Sequence, residues 1–228
     1  MSASFSTAEY DSLIQKIENG INTVISDANS AVSRIESWTS WIPFVGDAIK
    51  DALNKFVSLM DDFLKKIVEY LKFATIPPTM WGFGQQWVSM ATKAGQSATE
   101  LATLKQYSTE WEGIAGGKYN AAVTGQEPAV DTIQSRSNSI SGSCSATAMA
   151  GFAFYASLAG ILVGLTIACI TAETGVGLVF GITTAAISLA GAVTSVTLGL
   201  WNQERSLEQA SEPTDTMPGG AWPQATTA

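Results

Sequence analysis

Apolar positions recur at helical spacing through most of the first 146 residues. Over 7–40, Leu13, Ile14, Ile17, Ile21, Val24 and Ile25 lie on one face and predict one or two helices, with Gly20 a point where the helix can bend. Ser6 or Thr7 can cap the start, and Glu9 and Asp11 suit the first turn. The stretch SWTSWIPF, 37–44, breaks the pattern, because Pro43 is poorly tolerated inside a helix. Over 46–73, Ile49, Leu53, Phe56, Met60, Phe63, Ile67 and Tyr70 alternate at spacings of four and three, a heptad seam. The other face carries Lys50, Asp51, Asp61, Asp62, Lys65, Lys66 and Glu69. Mixed signs there read as a solvated face over a bundle core, since helices that seek membrane surfaces are usually predominantly basic.

The prolines and glycines of TIPPTMWGFG, 75–84, mark a boundary. A helix over roughly 84–111 follows, with a thin stripe of Trp87, Ala91, Ala94, Ala98, Leu101, Leu104 and Trp111. Its alanines let a partner helix come close. WEGIAGGKY, 111–119, interrupts the pattern. A more polar seam then resumes as Tyr119, Val123, Gln126, Val130, Ile133, Ser137, Ile140 and Cys144. Pro128 is expected to kink or restart this helix. The Ser-rich stretch 135–145 weakens the helical expectation, because Ser and Asn compete for backbone hydrogen bonds.

At Ala148 the pattern changes. From Ala148 to Trp201 the only ionisable acid is Glu173, and there is no Lys or Arg. The runs 148–171 and 176–201 each exceed the ~20 residues that cross ~30 Å of hydrocarbon. They predict a transmembrane-type hairpin with a bend at 172–175, where Glu173 is a solvated loop acid. Buried helices of a soluble bundle are the alternative reading. Small residues recur every fourth position as Ala156, Gly160, Gly164 and Ala168, as Gly177, Gly181 and Ala185, and as Gly191, Ser195 and Gly199. In lipid such stripes drive close helix packing, whereas in water each Gly costs ~1 kcal/mol against Ala. Tyr155 and Trp201 are candidate interface anchors. Arg136 and Arg205 flank the hairpin and, by the positive-inside rule, place both its ends in the cytoplasm. The tail 202–228 is polar, Pro-rich and aperiodic, and reads as disordered.

Charge and composition narrow the function. The chain of 228 residues has a formal net charge of -8 with its basic residues scattered, a poor match to nucleic acid. It contains no His, which removes the commonest acid/base group and metal ligand. Nucleotide loops, metal-ligand clusters and nucleophile–base sets are not evident, so the reading is non-enzymatic with no cofactor. Cys144 and Cys169 would sit roughly 37 Å apart on one helix, too far for a disulfide. The N-terminal MSASFSTAEYD lacks the basic and apolar regions of a secretory signal peptide.

The interrupting stretch has two readings. Gly113, Gly116 and Gly117 suit the elbow of an antiparallel helical hairpin, with Trp111 covering the turn between the helices. The pattern Trp111-x-Gly113-x-Ala115-x-x-x-Tyr119 between two long helices also resembles the Trp-x-Gly superfamily of type VII secretion substrates, over roughly residues 84–146. That resemblance implies helical hairpins paired into four-helix bundles, and export from Gram-positive bacteria without a cleaved signal peptide. The family's Tyr-x-x-x-Asp/Glu export signal is not found after any of the five tyrosines, so export would depend on a partner that supplies it.

The expected fold is all-α: an elongated helical bundle with N-terminal amphipathic helices (1–75), a hairpin with the Trp-x-Gly elbow (79–146), an apolar two-helix hairpin (147–201) and the tail. The expected function is a type VII-like protein, secreted without a cleaved signal peptide or membrane-associated at the bacterial cell envelope, that associates with or inserts into membranes through its apolar hairpin, with pore formation as one outcome. Its partners would be a lipid membrane and a helical protein or a second copy. The alternatives are a constitutive two-span membrane scaffold and a wholly soluble structural bundle.

Overall fold

The computed structural model describes residues 5–39, 46–108, 110–171 and 175–212. Side chains at 35, 38–39, 46–53, 107–108, 171 and 175–182 also lie outside the description. The expectations for Pro43, Glu173, the tail beyond 212, the seam positions Ile49 and Leu53, and the surroundings of Gly177 and Gly181 fall on these residues. The protein is all-α: α1 (Thr7–Thr39), α2 (Gly46–Leu71), α3 (Ile76–Ser108), α4 (Gly113–Thr171) and α5 (Gly175–Ser211).

Several boundaries differ from the sequence reading. Gly20 leaves α1 unbroken. A Cβ there would lie 3.3 Å from Leu162 Cδ1, so the missing side chain admits α4. The helix is capped as expected, with the Ser6 hydroxyl accepting from the Glu9 amide at 3.3 Å. The boundary at TIPPTMWGFG lies at its start: a turn over 72–75 separates α2 from α3, and α3 begins at Ile76 rather than near 84 and runs through the rest of the stretch. Pro77 and Pro78 sit in the first turn, where amides have no intrahelical partner to lose. Pro128 neither ends nor restarts α4, which is continuous for 59 residues. The Ser-rich stretch is helical too, with Ser137, Ser141 and Ser143 buried as small side chains at a helix contact. Finally, 202–211 is not disordered but belongs to α5. Its Glu, Gln, Arg, Leu and Ala are good helix formers that extend a preceding helix without a new nucleation step.

Two compact units form. One comprises Met1–Pro78 with Ala148–Gly199, so the N-terminal helices and the apolar hairpin share a unit. Its core includes Tyr10, Ile17, Val24, Phe56, Ile67, Leu158, Leu162 and Leu165. The other comprises Thr79–Thr147 with Leu200–Ala228. There α3 and the first part of α4 pair antiparallel. A Cβ at Gly84 would meet Ser145 Oγ at 3.1 Å, one at Gly95 would meet Gln134 Nε2 at 2.7 Å, and Lys105 pairs with Glu127 at 2.9 Å. The seam residues Val123, Val130, Ser137 and Cys144 are buried in it. Ser143 on α4 donates to Ser206 on α5 at 3.1 Å, and the Arg136 guanidinium donates to the Glu212 carbonyl.

Candidate functional site

The elbow is a tight link of four residues between α3 and α4. Gly113 has φ of +87°, a conformation that costs an L side chain about 1–2 kcal/mol. Gly116 is buried, and a Cβ there would run into the Trp111 carbonyl oxygen. Gly117 has open space around it. Trp111 does not pack between the helices as expected. It is 61% exposed and stacks on Tyr119, with ring centroids 5.3 Å apart and planes at 29°. The crowding of Trp111 against Gly116 holds it at the mouth of the turn, so its ring covers Tyr119 from outside. Ala115 is exposed. Trp111 and Gly113 are exposed and Tyr119 is half-buried beneath the indole, so the three form one corner at the turn.

The apolar hairpin has two different faces on α4. Phe154, Tyr155, Leu158, Leu162, Leu165 and Cys169 are buried. Along them lies α1: Tyr10 meets Tyr155 with rings 5.7 Å apart, Gly20 meets Leu162, and the Arg34 guanidinium donates to the Cys169 carbonyl at 3.3 Å. Arg34 thereby serves the last turn of α4, which has no basic residue of its own. The end of α2 joins the same cluster, as the Tyr155 hydroxyl donates to the Tyr70 carbonyl at 2.8 Å and Tyr70 packs edge-on against Phe154 at 5.3 Å. The Tyr10 hydroxyl donates to the Ala74 carbonyl at 2.8 Å.

The other face of α4 is apolar and open. Val163, Ile167 and Ile170 on α4, with Ile187 and Leu198 on α5, are each between 56% and 69% exposed. The stripe of Ala156, Gly160, Gly164 and Ala168 lies on this outer side: Ala156, Gly160 and Gly164 are exposed and Ala168 is half-buried. A Cβ at Gly160 or Gly164 would meet nothing within 4 Å. On α5, Ala185 is buried beside Leu189, while Gly191 and Gly199 open onto empty space. Gly160 and Gly164 therefore meet no other described helix. Two stretches within α4 and α5 are long and apolar enough to cross a membrane, with mean hydropathy of 2.1 and 1.5 over their most apolar windows. A soluble core helix of that composition would be mostly buried, yet only 33% and 11% of these windows are. Trp201, at the end of the run, is exposed with the Arg205 guanidinium 4.7 Å from its ring centroid.

Where α1 lies decides what this packing can do in lipid. From Tyr10 to Arg34 it follows α4 from Tyr155 to Cys169, the central part of the first apolar run. That length of α1 carries Asp11, Lys16, Glu18, Asp27 and Arg34. Each would cost about 2.5–3.5 kcal/mol at a bilayer centre. If 148–171 crossed a bilayer with this packing kept, α1 would carry those charges into hydrocarbon.

Among the described residues no group of three or more Cys, Asp or Glu converges as a metal site. Both cysteines are buried, free and on α4. No family model, no curated protein and no solved structure matches the chain.

Proposed function

We propose that this is a secreted, type VII-like helical protein that acts on membranes without catalysing a reaction. It docks on a bilayer through the outer face of α4 and α5 and then parts α1 and α2 from α4 to insert 148–201. The observation that carries the reading is the open apolar face: five large aliphatic side chains more than half exposed on helices without a Lys or Arg between Ala148 and Trp201. The unoccupied stripe through Gly160 and Gly164 supplies surfaces for helix association once in lipid, and oligomers assembled through it would line a pore. Export rests on the Trp111–Tyr119 elbow and its likeness to the Trp-x-Gly hairpins, with a helical partner supplying the export signal. A two-span anchor that kept this packing would have to hold those charges in hydrocarbon, so the charged flank of α1 favours a chain that can part α1 from α4.

Flotation with vesicles of phosphatidylcholine and phosphatidylglycerol tests the reading on the full chain. Wild type made without detergent should float and resist alkaline extraction. Val163→Lys with Ile187→Lys changes only exposed positions, so the fold survives, and flotation should fall by more than about tenfold given the cost of Lys in hydrocarbon. Equal flotation of the two proteins would remove the outer face from the mechanism.

A further inference from the structure

The unit of Met1–Pro78 and Ala148–Gly199 has a second open apolar face, on the side of α1 and α2. A groove of 580 Å3 runs along it. Its floor is Phe56, Met60 and Leu64, and its walls include Ile25, Val57 and Val68, which are between 43% and 50% exposed. Among the described residues, the charges that line it come from α2 and the turn that ends it: Asp61, Lys65, Glu69 and Lys72. They alternate in sign along the rim.

We infer that this groove is the interface for a second copy of the chain, paired antiparallel about a two-fold axis that crosses α2 beside residues 66 and 67. The alternation selects both the occupant and its direction. In an isologous pair each residue meets the one at the mirrored position. An axis beside 66 and 67 sets Asp61 opposite Lys72 of the other copy and Lys65 opposite Glu69, so each of these four charges meets its opposite. The two pairings differ by one residue in register, about 1.5 Å along the helix, within the reach of a Lys side chain. A parallel two-fold would set Asp61 against Asp61 and Lys65 against Lys65, and like-charge repulsion disfavours it. Two such α1–α2 pairs face to face make a four-helix arrangement that covers Ile25, Val57 and Val68. In the single chain Lys65 and Asp61 already pair at 2.6 Å, but both are exposed, and such a pair is worth little. Exchanging it for intermolecular pairs therefore costs little.

Sedimentation of the full chain without lipid tests this independently of any membrane activity. Wild type should show a concentration-dependent monomer–dimer equilibrium. Lys65→Glu with Lys72→Glu makes the rim wholly acidic, and Asp61→Lys with Glu69→Lys makes it wholly basic. Each variant alone should be monomeric, with unchanged helicity because the positions are exposed. An equimolar mixture of the two should dimerise again. Cross-linking adds direction. Val68→Cys lies about 2 Å from the axis along the helix and should form a disulfide with its own copy, while Val57→Cys lies about 14 Å away and should not. A wild type that stays monomeric up to its solubility limit overturns the inference and leaves the groove to a different helix. Charge variants that dimerise like wild type also overturn it, as does a mixture no better than its components.

Discussion

Tyr10 takes a hydroxyl into a site that water scarcely reaches, since the residue is 1% exposed. Its ring touches Phe5, Phe152 and Tyr155, and its hydroxyl has one acceptor, the Ala74 carbonyl just past the end of α2. The contact ties the start of α1 to the end of α2 and so makes those helices antiparallel. Tyr10→Phe keeps the ring and removes the bond, and unfolding in urea should show a loss of about 1 kcal/mol. The same residue sets an alkaline limit. Burial, with smaller contributions from Tyr155 and Asp11, pushes the Tyr10 hydroxyl well above its ordinary value of 10.0. Below pH 10 the hydroxyl keeps its proton folded or unfolded, and its contribution is fully present. As pH rises past 10 the unfolded chain releases the proton while the folded chain does not, which favours unfolding. Wild-type stability should therefore fall more steeply above pH 10 than that of Tyr10→Phe. Parallel curves for the two proteins would show that Tyr10 is not held protonated by the fold.

At the scale of elements, the elbow and the glycine stripe make opposite predictions for the same kind of change. Gly116→Ala forces a Cβ against the Trp111 carbonyl, and Gly113→Ala places a side chain at positive φ. Both should lower the unfolding free energy measured in urea, Gly113→Ala by about 1–2 kcal/mol. Trp111→Ala removes only an outer stacking contact and should cost about 0.5–1.5 kcal/mol. Gly160→Leu with Gly164→Leu should leave the soluble fold as stable or more so, because open space surrounds both positions and Leu is the better helix former. The same pair should reduce dye release from vesicles if the stripe packs helices in lipid; full dye release would deny it that role. Here lies the limit of what the chain reveals unaided. The heptad seam of α2 and the polar seam of α4 were legible, because a periodic row of apolar residues must face a core. The hairpin of α3 and α4 was legible from its elbow. The phase of the apolar helix was not. Period shows which residues share a face, but in a run apolar all round it does not show which face has a neighbour. In water the large side chains Leu158, Leu162 and Leu165 gain most from burial at ~25 cal/mol per Å2, so they turn to α1 and leave the small residues outside. The proline and serine stretches misled for a related reason. Their intrinsic preferences are weak beside a helix already extended on both sides and packed against neighbours.

For the molecule as a whole, the question is whether α1 leaves α4 when the protein meets a bilayer. One covalent lock isolates that step. A Cβ at Gly20 lies 3.4 Å from Leu162 Cβ, close to the separation of about 3.5–4.5 Å that a disulfide spans. In a parent with Cys144→Ala and Cys169→Ala, the pair Gly20→Cys and Leu162→Cys joins α1 to the middle of the first apolar run. The outer face of α4 and α5 stays free, so oxidised protein should still float with vesicles. It should be stripped by alkaline wash and should release no dye, because insertion would drag Lys16, Glu18 and Asp27 into hydrocarbon at about 2.5–3.5 kcal/mol each. Reduction should restore extraction resistance and dye release in the same sample. The reversal matters because it excludes misfolding of the variant as the cause. If oxidised and reduced protein insert at the same rate, α1 accompanies α4 into or onto the membrane. The closed and inserted forms would then not be two packings of one chain, and the soluble unit itself would be the membrane-bound state.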